Sequence, residues 1–91
     1  MDDKLTVLEY VTPLLSPDTL GHRSRIVQFG YVRLNDDRTG LLIIYRPSKI
    51  IFYPDTSMFQ YMEMLAATSK GSWAYANVHS NPYEILPADA L

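Results

Sequence analysis

The chain has 91 residues, 47% of them apolar, with a net charge of −2 from ten carboxylates against eight Lys and Arg, and it contains no cysteine. A chain of this length buries about 60–65% of its unfolded surface, and its composition is globular rather than disordered. The acidic balance argues against gripping duplex DNA by bulk electrostatics, and the missing thiols exclude disulfides, thiolate catalysis and Cys-based metal sites.

Seven Tyr, three Phe and one Trp are many for so short a chain, so some of them are expected at a ligand surface or subunit interface. The N-terminus, MDDKLTVLEY, is acidic and mixed rather than signal-like. The longest apolar run, Leu41 to Tyr45, is far too short for a membrane span. A soluble protein of the cytoplasm is the expectation.

Residues 4–11 fit a short strand or a short helix equally well. Pro13, Pro17 and Gly21 then interrupt any long element, and Ser16-Pro17-Asp18 reads as one capped helical turn. From Arg25 the chain alternates, with Val27, Phe29 and Tyr31 on one face and Arg25 and Arg33 at the ends. NDDRTG is a turn, its Gly40 suited to positive φ. LLIIYR is apolar on both faces, as in a central strand, and IIFY follows after the Pro47-Ser48-Lys49 turn. These segments predict an antiparallel meander over residues 25–53.

Ser57 with Gln60 three residues later is a capping-box pattern. The helix it opens is expected to reach Thr68, with Met58, Tyr61, Met62, Leu65 and Ala66 on its buried stripe and Gly71 as its C′ residue. SWAYANV then reads as an extended fourth strand or arm, with Trp73 and Tyr75 on one face. The Pro-broken tail NPYEILPADAL is expected along the surface or against a neighbour. The predicted fold is α+β: a small antiparallel β-meander of 3–4 strands with one main helix packed on a face. The second face of the sheet needs cover from the N-terminal residues, the tail or another subunit, which predicts a homo-oligomer.

Over residues 25–83 the order of elements and several residues resemble the KTSC domain. That is a short module at the C-terminus of some lysyl-tRNA synthetases and in free-standing bacterial and phage proteins. The likeness runs through FGY, the turn ending in TG, and the helix with Tyr61, Met64, Leu65, Ala67 and Ser69 to Gly71, with Val78 seven residues on. The family's Tyr-x-Tyr is here Ile51-Phe52-Tyr53. The resemblance implies one domain, with residues 1–24 an N-terminal extension, 25–83 the core and 84–91 a tail. It further implies a bacterial or phage-encoded setting, with RNA binding a suggestion made for the family.

His22 and His79 lack metal-ligand spacing, no nucleophile elbow is visible, and no carboxylates pair for acid–base work. No catalytic or metal site and no cofactor is therefore expected. Asp36-Asp37 reads as a solvated turn with an Asx-type hydrogen bond. The basic residues carry the main functional expectation: Arg23, Arg25 and Arg33 with Phe29 and Tyr31 suit a phosphate-bearing ligand such as a nucleotide, signalling nucleotide or short RNA. A second expectation is a protein-interaction module using exposed aromatic residues, with Trp73, Tyr75 and Tyr83 at the interface.

Overall fold

The computed structural model describes residues 4–17 and 25–91. Five antiparallel strands form one sheet in chain order: β1 (Val7–Tyr10), β2 (Ile26–Leu34), β3 (Thr39–Tyr45), β4 (Lys49–Tyr53) and β5 (Glu84–Leu86). Helices α1 (Met58–Ala66) and α2 (Lys70–Asn77) lie between β4 and β5. The α+β class and the meander stand, with five strands rather than three or four. The ambiguous N-terminal run is a strand. The supposed surface tail supplies the fifth, a three-residue edge between Pro82 and Pro87. The helical turn expected at Ser16-Pro17-Asp18 runs into residues outside those described.

The sheet carries a core on each face. Ile26, Phe29, Tyr31, Leu41, Ile43 and Tyr53 pack beneath the helices with Tyr61, Met64, Ala74 and Val78. On the other face Val32, Leu34, Leu42, Ile50, Phe52 and Leu86 pack with Ala90, Leu5 and Leu14. Both chain ends thus cover the second face, and the reason for expecting an oligomer from the sequence falls away.

The sheet also curls. Val7 donates its N–H to the Ala90 carbonyl, and a turn closed by Ala90 N–H on the Pro87 carbonyl sits between Ala90 and β5. So short a connection cannot cross the ~19 Å of four flat strand spacings, so the outer strands bend toward each other around the second core.

Two local departures have physical causes. A bulge at Val27, between the paired residues Ile26 and Gln28, shifts the parity of β2, so Ile26 and not Val27 joins Phe29 and Tyr31. In the β2–β3 turn Asp37, with φ 72°, takes the left-handed position. Gly40 is needed for a different reason: a Cβ there would sit 2.3 Å from the Tyr53 carbonyl oxygen.

The largest correction concerns SWAYANV, which is helical. α1 stops at Ala66, and Ala67 is extended (ψ 139°). Ser69 then caps a new helix, its hydroxyl accepting the Ser72 N–H. Gly71 therefore sits in the first turn of α2 and does not close α1. Lys70 reaches back, its Nζ donating to the Ala67 carbonyl at 2.6 Å, which satisfies a group at the frayed end of α1. An apolar–small alternation four residues long fits either period; burial of Ala74 and Val78, four apart, shows which one packs.

Candidate functional site

The sheet separates the residues expected to bind a phosphate-bearing ligand. Phe29 and Tyr31 point under α1, where their rings lie 5.9 and 6.2 Å from that of Tyr61. Phe29 is 1% exposed, and the Tyr31 hydroxyl donates to the Thr56 carbonyl at 2.8 Å. Neither ring offers a free face, because a curled sheet this small needs its largest inward side chains to fill the space beneath the helix.

Arg33 is held by two carboxylates, Glu9 at 3.1 Å and Asp37 at 2.6 Å. The hydrogen bond to Glu9 and then that to Asp37 hold its guanidinium above the usual arginine range. Arg25 is exposed at the entry to β2, away from this pair, and Arg23 lies outside the described residues. In the turn, Asp36 accepts the Arg38 N–H in the expected Asx manner and also pairs with the Arg38 guanidinium, which bridges to Glu84 at the start of β5.

The residues expected at an interface are also apart. Trp73 is half-buried against the helix-side core, whereas Tyr75 is 73% exposed and tilts against His79 with ring centroids 4.8 Å apart. In a helix, positions two apart point to nearly opposite sides, which is why the two do not share a face. Tyr83 is exposed beside Tyr53, their rings 6.3 Å apart.

One functional feature is absent from the expectations. The capping box does form, Ser57 Oγ accepting the Gln60 N–H and Gln60 Oε1 accepting the Ser57 N–H. That anchors α1 so that Tyr61 and Met64 turn inward. The same rotation turns Phe59, Met62 and Leu65 outward, at 71, 59 and 43% exposure. The buried stripe expected from the sequence included Met62, Leu65 and Ala66, all three of which are exposed. With Phe59 these residues stand at i, i+3, i+6 and i+7, one contiguous apolar strip. The signal was present in MFQYMEMLA, whose only polar members are Gln60 and Glu63. A helix apolar almost all round has two faces to cover, and the sheet covers one.

Comparison with protein-family models, with curated proteins and with solved structures finds no match. The likeness to the KTSC domain therefore gains no support from these comparisons.

A second cluster lies on the helix side of the sheet. The Tyr45 and Tyr53 hydroxyls meet at 2.9 Å. Burial raises the pKa of both; for Tyr53 the Tyr45 hydroxyl adds to the rise, and for Tyr45 the bond to Tyr53 and the charge of Arg25 oppose it. Among the described residues no three His, Asp or Glu side chains gather to hold a metal ion, and no helix is long and apolar enough to cross a membrane.

Proposed function

We propose that this chain is a non-catalytic protein-interaction module that presents the outer face of α1 to an apolar groove on a partner protein. The observation that carries the reading is the exposed strip of Phe59, Met62 and Leu65, a helix-in-groove arrangement of anchors. Its three side chains offer on the order of 350 Å² of exposed surface, against ~800 Å² per partner for a standard interface. Two flat copies of the strip laid together fall short of a stable dimer, so a groove that wraps the helix is favoured, with transient binding. Exposed Glu63, four residues on from Phe59 in the helix, borders the strip and suits a groove with a basic edge.

A photo-crosslinking residue in place of Phe59, in the full chain and in the cells that make it, tests this. A crosslinked species larger than a dimer of this chain is expected, and it should disappear when Met62→Asp and Leu65→Asp are added. Crosslinks confined to a second copy, or none at all, would overturn the reading.

A further inference from the structure

Sulfur is confined to methionine in this chain, which has four Met and no Cys. With no thiol to take up a two-electron oxidant, the thioethers are its readiest targets, and exposure sets the order in which they react. Three of the four lie on α1, and the helix sorts them. Met58 is half-buried against the helix-side core, Met64 lies wholly inside that core, and Met62 is 59% exposed. Met1 lies outside the described residues.

The sorting is geometric. Met62 and Met64 are two positions apart, about 200° around a helix. The rotation that the Ser57–Gln60 capping box anchors, and that seats Met64 in the core, therefore turns Met62 to the opposite side. Met62 also stands at the centre of the apolar strip, three residues after Phe59, three before Leu65 and four before Ala66.

We infer that Met62 is a modification site for hydroperoxides, and that its oxidation switches off the apolar strip of α1. The Sδ lone pair attacks one oxygen of hydrogen peroxide, and the S–O bond forms as the O–O bond breaks. The proton on the transferred oxygen passes to the departing hydroxide, which leaves as water; sulfur loses two electrons and the peroxide gains them. A methionine sulfoxide reductase removes the oxygen as water while two thiols become a disulfide, so the change is reversible.

The sulfoxide oxygen is a polar acceptor that water satisfies on a free surface. An apolar groove offers it no donor, so docking would bury it unpaired, and affinity should fall about 10- to 100-fold. Folding is spared, because Met64 and not Met62 fills the core. The switch rests on α1 being a docking helix, whereas the order in which the methionines oxidise depends on burial alone.

Treatment of the full chain with hydrogen peroxide, followed at each methionine by tandem mass spectrometry, tests the site. Met62 should oxidise about tenfold faster than Met64 in the folded chain and at the same rate in urea. The oxidised chain should keep its Tm within about 4 °C yet elute earlier from a hydrophobic-interaction column. Met62→Leu, an apolar side chain without sulfur, should lose most of that change in elution. Equal rates at Met62 and Met64 in the folded chain, or an elution change that persists in Met62→Leu, would overturn the proposal. For docking, the purified chain with the crosslinking residue in place of Phe59 is irradiated in extract of the cells that make it. Prior oxidation should cut the yield of the partner crosslink about tenfold at sub-saturating concentration, and the reductase should restore it. An undiminished yield with Met62 fully oxidised would overturn the switch and leave the docking role standing. No partner crosslink from the untreated chain would overturn the docking role, and the switch with it.

Discussion

Single residues are decided here by what lies around them. Gly71, in the first turn of α2, has nothing within 4 Å of where a Cβ would sit. Alanine there removes backbone freedom from the unfolded chain and suits the helix. Gly71→Ala should therefore stabilise the protein by about 0.5 kcal/mol and raise Tm by a few degrees. A residue that closed α1 in the left-handed region would give the opposite sign. Gly40 is the contrasting case, because the added carbon would meet the Tyr53 carbonyl oxygen and the Phe52 ring. Separating β3 from β4 to make room costs on the order of 2–3 kcal/mol, so thermal melts of Gly40→Ala and Gly71→Ala should move in opposite directions.

At the level of elements, α1 has two apolar sides with different work. Met64 is wholly buried under the helix, while Met62, half a turn away, is mostly exposed. Met64→Ala should cost about 2–5 kcal/mol through the cavity it opens, and Met62→Ala should stay within about 0.5 kcal/mol. Denaturant melts of the two variants separate the packing side from the presenting side. Comparable losses for both would mean that the outer strip is needed for folding, and would remove the main support for a docking role. The sheet edges point the same way. β5 has three residues between prolines and β1 is bulged between Val7 and Glu9, so neither edge offers a long flat ladder for strand addition. A partner has more to hold on the helix.

For the molecule as a whole, the tyrosine pair couples stability to alkaline pH. Burial raises the pKa of Tyr45 and Tyr53 above the ordinary value of 10.0. Folding therefore favours their protonated forms, and this contribution is complete below pH 10, where the unfolded chain is protonated as well. Above it the unfolded chain sheds one to two protons that the folded chain keeps. Stability should then fall by about 1–3 kcal/mol per pH unit until the folded pair ionises. Urea melts between pH 9 and 11 should show this slope, and the Tyr45→Phe, Tyr53→Phe double variant should flatten it. An unchanged slope in that variant would assign it to other groups.

Much of the frame was legible from local signals. The meander over residues 25–53 follows from alternation and turn residues, and the start of α1 from Ser57 and Gln60, because strand pairing through short turns and helix capping are local events. Gly71 and SWAYANV were misread because eight residues hold too few turns to separate a helical period from an extended one; burial of Ala74 and Val78 against the sheet settles it. Phe29 and Tyr31 show the same limit for function. Alternation puts them on one face, but only the position of Tyr61 above them makes that face core rather than ligand platform. The sequence by itself determined the elements whose causes lie within a few residues of one another. Tertiary structure alone decided which side of α1 is covered, which arginines are neutralised by Glu9, Asp37 and Glu84, and how the two chain ends close the second face, because each depends on residues distant along the chain meeting in space.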